Sequence, residues 1–117
     1  DNNIIGEGWN QPISNNDPTA HAEIQAIRMA CQHENNYRLP NTTLYISLEP
    51  CLMCAGAIVH SRIARVVFAT PEHKTGAAGS CFDIFNENKL NHHVQCDQGV
   101  LAQQSSQLLK QFFKARR

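Results

Sequence analysis

Two short motifs constrain this chain more than any other feature: His21-Ala22-Glu23 and, beyond a β-branched stretch, Pro50-Cys51-Leu52-Met53-Cys54. Residues three apart on a helix share a face, so the sulfurs of Cys51 and Cys54 can reach one ion. Pro50 predicts a helix running to about Ser61 with both cysteines in its first turn, where proline is favoured. The free backbone N–H groups and the dipole at that end favour thiolates over thiols. Zinc takes thiolate and imidazole donors in a tetrahedron, and His21 is the expected third ligand. His21 and Glu23 would diverge on a regular helix. They converge if His21 stands at the very start of one, and Pro18-Thr19 just upstream fits such a boundary. Three protein ligands leave a position for water, the pattern of a catalytic zinc rather than a structural one. Zinc brings the pKa of its bound water towards about 7, and Glu23 is the expected proton carrier beside it. Taken singly, the C-x-x-C motif also fits a redox pair or structural zinc, and H-x-E alone says little. The ordered combination of the two is what points to catalysis.

The rest of the sequence frames that site. At 117 residues, 42% hydrophobic and 17% charged, the chain reads as one soluble domain with a core of its own. No segment approaches the roughly 18 apolar residues of a membrane span, so no membrane partner is expected. No signal-peptide pattern appears, although the chain opens on Asp1. Five cysteines cannot all pair, and a reducing cytoplasm is the expected setting. Formal net charge is zero, so any nucleic-acid contact must come from a local patch. The C-terminal cluster Lys110, Lys114, Arg116 and Arg117 is the candidate.

Periodicity and turn residues predict a strand over Ile4 to Trp9, a loop from Asn10 to Thr19 and a helix over Ala20 to Gln32. They go on to predict strands over Thr43 to Leu48 and Arg65 to Ala69, and a Gly/Ala-rich loop from Pro71 to Ser80. A strand over His92 to Cys96 and an amphipathic helix over Val100 to Lys114 complete the chain. Strands alternating with helices predict a layered α/β fold. Cys31, Cys81 and Cys96 lack ligand spacing and read as small buried hydrophobes. His60 falls at a helix end, and the adjacent His92 and His93 would face opposite sides of a strand.

The text GEGWN (Gly6 to Asn10), DPTAHAEI (Asp17 to Ile24), NYRLPNTTLYISLEPCLMCAGAIVHSRI (Asn36 to Ile63), KTGAAGS (Lys74 to Ser80) and the ending LLKQFFKARR resemble the bacterial tRNA adenosine deaminases of the cytidine deaminase-like superfamily. H-x-E followed by P-C-x-x-C is shared by zinc-dependent nucleobase deaminases in general; the flanking text narrows the resemblance. It implies a three-layer α/β/α fold with a central mixed sheet flanked by helices. The implied reaction is hydrolytic deamination of adenosine to inosine at the anticodon wobble position of a tRNA, by a homodimer with one Zn2+ per chain. His21, Cys51 and Cys54 match the family's zinc ligands and Glu23 its proton shuttle. Asn10 falls where the family contacts the target base. Lys74, Phe113 and Arg117 fall where it contacts the anticodon loop, and Arg116 is the basic neighbour nominated with them. The family begins with a helix and an internal strand before the turn matched by Asp1-Asn2-Asn3, so this single domain is expected to lack both. Two rival readings stand. One is a superfamily member acting on a free base or nucleoside of guanine or cytosine type. The other is a structural-zinc RNA-binding module, which has no use for Glu23.

Overall fold

A computed structural model of the chain describes residues 4–10 and 16–98. Its elements run α1 (Ala22–Glu34), β1 (Thr43–Leu48), α2 (Leu52–His60), β2 (Arg65–Thr70), a 3-10 turn (Ile84–Asn86) and β3 (Gln95–Gln98). β1, α2 and β2 form a crossover in which parallel strands are joined through a helix. Thr43 pairs with Arg65 and Ile46 with Phe68, while β3 joins the far edge of β2 with Gln95 opposite Arg65. The sheet order is therefore β1-β2-β3. The central strand carries Val66, Val67, Phe68 and Ala69, all buried. An uninterrupted apolar run is what a strand flanked on both edges and covered on its faces requires. Ile46, Val66 and Phe68 meet Ala55, Ile58 and Val59 of α2 in the main core, together with Ala30 of α1 and Phe85.

The α/β class expected from the sequence is what forms. Both strand pairings among the described residues are parallel, so the antiparallel members of a mixed sheet are not among them. β1 spans the residues expected, whereas β3 begins three residues later than the predicted His92 start. His92 instead places its Nε2 2.8 Å from the Ile63 carbonyl, tying the approach to β3 onto the turn before β2. α1 ends at Asn35, whose left-handed backbone (φ 52°) lets the Asn36 N–H reach back to the Cys31 carbonyl at 3.0 Å. Asparagine tolerates that conformation better than most residues. The predicted helix over Val100 to Lys114 lies outside the described residues.

The predicted strand over Ile4 to Trp9 is not a strand. This segment lies along α1 with its two glycines turned to the helix backbone. A Cβ at Gly8 would stand 2.3 Å from the Ala22 carbonyl oxygen, and one at Gly6 2.5 Å from that of Ala26. A strand needs a neighbour to satisfy its backbone groups, and no described strand lies beside this one. Local β-propensity was overridden by a helix contact that only glycine permits.

Candidate metal centre

α1 and α2 both begin at the carboxyl end of the parallel strands or beside it, the side on which open α/β sheets bind ligands. β1 ends at Leu48, and Glu49 and Pro50 lead directly into Cys51. Cys51 is not in the first helical turn, as expected, but is the N-cap itself, with extended backbone (φ −77°, ψ 176°). Pro50 lies one residue before the cap rather than inside the helix; it is buried, and its ring fixes φ where the chain enters the helix. Cys54 follows inside the helix and is fully buried.

His21 occupies the N-cap of α1 with extended backbone (φ −76°, ψ 157°), the non-helical start that its convergence with Glu23 requires. Its side chain caps nothing. That task passes to Asn10, whose Oδ1 accepts a hydrogen bond from the Ala22 N–H at 2.8 Å. The imidazole is thereby left free to face the cysteines. Asp17 builds the turn in front of it, accepting from the Thr19 N–H at 2.9 Å and the Thr19 hydroxyl at 2.7 Å. Those bonds hold the Asp17 carboxyl below the usual carboxylate range. Asn10→Ala is expected to destabilise the fold by about 1 kcal/mol, the usual cost of losing a helix cap. Urea denaturation checks this: a lower midpoint at unchanged slope is the expected result, and an unchanged midpoint would show that the bond carries no stability.

The three expected ligands come together. His21 Nδ1 lies 3.5 Å from Cys54 Sγ and 3.8 Å from Cys51 Sγ. All three donor atoms fall within 4.8 Å of one another, and they form the metal-capable group found among the described residues. A tetrahedral zinc with Zn–S near ~2.3 Å and Zn–N near ~2.0 Å sets S···N separations of about 3.5 Å. The donor set therefore fits zinc in both chemistry and spacing. Glu23 stands two residues beyond His21 in the first turn of α1, its carboxyl close to Cys54. Burial pushes that carboxyl above the ordinary carboxylate range.

Burial, reinforced by the neighbouring Glu23 carboxylate, pushes the Cys54 thiol far up, against the thiolate expected from the helix start. Without metal this ligand is a thiol at neutral pH, so zinc must displace its proton. Metal affinity is accordingly expected to rise with pH, by about tenfold per pH unit for each displaced proton. Competition against a chelator of known pH dependence measures this. A flat profile between about pH 6 and about pH 8 would mean that no thiol proton is released.

The structure separates the remaining candidates. Lys74 is exposed in a turn of the loop after β2. Phe113, Arg116 and Arg117 lie outside the described residues. Cys31 and Cys96 are half-buried against the core, and burial pushes the Cys96 thiol up to about 11. Cys81 departs from the buried reading: it is exposed, its thiol donating to the His73 carbonyl at 2.9 Å. It lies in the exposed run over residues 79–83, so no apolar environment encloses it. Sequence reasoning passed over Glu49, which is 4% exposed and next to the ligand helix. Burial pushes its carboxyl up, but four hydrogen bonds from Ser80, Ala78 and Glu72 more than reverse this, holding it below the ordinary range. The available signal was an acidic residue closing an apolar strand, a place where an unpaired charge is costly.

The family described as "Cytidine and deoxycytidylate deaminase zinc-binding region" matches residues 1–70. The tRNA-specific adenosine deaminase of Haemophilus influenzae is 57% identical over 115 residues, covering 98% of this chain and 66% of that protein. The tRNA-specific adenosine deaminase of Buchnera aphidicola subsp. Baizongia pistaciae is 48% identical, covering 99% of this chain and 72% of its own length. This chain thus spans about two thirds of the first relative. A structure from studies of A-to-I editing by tRNA deaminases at the wobble position of transfer RNA superposes with a TM-score of 0.84 at 38% identity, over 92% of this chain and 78% of that one. The guanine deaminase of Bacillus subtilis superposes with a TM-score of 0.61 at 36% identity, over 94% and 73%.

Proposed function

The chain belongs to the cytidine and deoxycytidylate deaminase zinc-binding family, and we propose that it hydrolyses adenosine to inosine at the wobble position of a tRNA anticodon. The observation that carries the reaction class is the convergence of His21, Cys51 and Cys54 with a half-buried carboxylate, Glu23, close to Cys54. A structural zinc site has no need of that carboxylate. The substrate class is supported by likeness over nearly the whole chain to relatives named for tRNA adenosine deamination. The fold superposes better on the tRNA editing enzyme than on the guanine deaminase, which favours tRNA over a free base.

His21, Cys51 and Cys54 hold the metal in this reading. When bound, zinc supplies Lewis acidity that makes water a nucleophile at neutral pH. Glu23 then serves every proton transfer. Its carboxylate accepts the proton lost from water as the oxygen adds to the six-position carbon of adenine, and delivers it to the ring nitrogen next to that carbon. Glu23 then takes the remaining proton from the added oxygen and passes it to the amino nitrogen as the carbon–nitrogen bond breaks, so adenosine and water give inosine and ammonia. A carboxylate placed beside the metal ligands can serve as base and then as acid in these successive steps. The loop that carries Lys74, and the basic tail with Phe113, Arg116 and Arg117, are the proposed RNA contacts. They suit a chain whose net charge is zero. A single-stranded anticodon loop lowers the cost of unstacking the target base. Cytoplasmic residence and a homodimeric assembly complete the proposal.

Ammonia release tests it. Zinc-loaded protein is expected to deaminate an anticodon stem-loop far faster than free adenosine, guanine or cytidine. Rapid turnover of a free base with no action on the stem-loop would transfer the assignment to the guanine or cytosine type.

A further inference from the structure

We propose that Glu49 is a positioning residue of this site, its carboxylate clamping the loop over residues 72–80 against the start of the ligand helix and so fixing where that loop meets substrate. Oε1 accepts from the Glu72 N–H at 3.1 Å and from the Ser80 hydroxyl. Oε2 accepts from the Ala78 N–H at 2.7 Å and the Ser80 N–H at 3.0 Å. Four donors from one loop thus converge on one buried carboxylate. The close approach depends on Gly76, where a Cβ would lie 2.4 Å from Glu49 Cδ and 2.4 Å from the Glu72 carbonyl oxygen.

The clamp is continuous with the metal centre. Glu49 continues the ladder past β1, its N–H donating to the Thr70 carbonyl at 2.9 Å. The Pro50 carbonyl, one residue before the ligand Cys51, accepts from the Ala77 N–H at 2.8 Å. Residues 72–80 are therefore bonded to the two consecutive residues, Glu49 and Pro50, that lead into the ligand helix. Between those anchors the loop presents His73, Lys74 and Thr75, all exposed. Lys74 is held in its turn by its own N–H, which donates to Glu72 Oε1 at 3.1 Å. Glu49 is spent on amides and a hydroxyl, and it is not one of the grouped metal donors. Its effect reaches substrate only through the loop, so it acts on binding rather than on the chemical step.

The kinetic test rests on the deaminase reading, and a second readout is independent of it. Glu49→Gln keeps the shape but turns an NH2 towards N–H donors. Its zinc content is expected to stay at the wild-type level. KM for an anticodon stem-loop is expected to rise about tenfold, with kcat within about twofold, the pattern of lost uniform binding. Hydrogen exchange at the Ala78 and Ser80 amides should accelerate by about tenfold. Ser80→Ala, which removes only the hydroxyl bond, should shift KM and exchange in the same direction by less. It decides the matter alone if Glu49→Gln does not fold. A fall in kcat at unchanged KM, or loop exchange unchanged in either variant, would overturn the proposal. Inactive zinc-loaded wild-type protein would overturn the deaminase reading, and the exchange measurements would still decide the clamp.

Discussion

Glu23→Ala is expected to keep its zinc and its fold while deamination falls by at least about 10²–10⁴-fold, the usual worth of general acid–base catalysis. The top of that range is the expected region, because one carboxylate is asked to serve several transfers in succession. The geometry separates this loss from metal loss. Glu23 lies beside the ligands without being one of the three grouped donors. It stands two residues into α1, whose start is already fixed by Asn10 and by the Asp17 turn. The variant's metal content and urea midpoint are the controls. Near-normal turnover by zinc-loaded Glu23→Ala would remove the proton-carrier assignment.

Cys54→Ala should have the other large effect, and of a different kind. Cys54 supplies one of three donors from a fully buried position. Its loss should weaken zinc binding by more than the roughly 10–100-fold that follows loss of an outer-shell partner. Bound metal stabilises the folded chain by mass action, by about 4 kcal/mol at a free concentration 1,000 times Kd. A chelator should therefore lower the melting temperature of the wild-type protein, and Cys54→Ala should respond neither to chelator nor to added zinc. A variant that still binds one zinc per chain with full thermal protection would place the metal on other residues.

The metal site was legible in the sequence because its chemistry demands particular donor atoms at helix starts, and those starts are marked locally. Pro18-Thr19 marks one and Pro50 the other. β1 was legible to the residue because Thr43 to Leu48 is bounded by turn-forming and proline-containing text. What was not legible depends on partners distant in sequence. Ile4 to Trp9 has the composition of a strand, but its fate was decided by a helix that accepts the two glycines. The start of β3 was set by pairing with β2 and by the His92 bond to Ile63, neither of which periodicity encodes. Cys51 as a cap rather than a helical residue lies within the usual uncertainty of helix boundaries. Glu49 was passed over because a lone acidic residue does not announce that four donors of a later loop will converge on it.

The measurement that bears most directly on the whole account is sequencing of an unmodified tRNA pool after incubation with the zinc-loaded protein, with inosine read as guanosine. The account predicts conversion confined to adenosine at the wobble position, and abolished by Glu23→Ala. An unchanged tRNA pool, with zinc bound and free guanine converted by the same preparation, would contradict it.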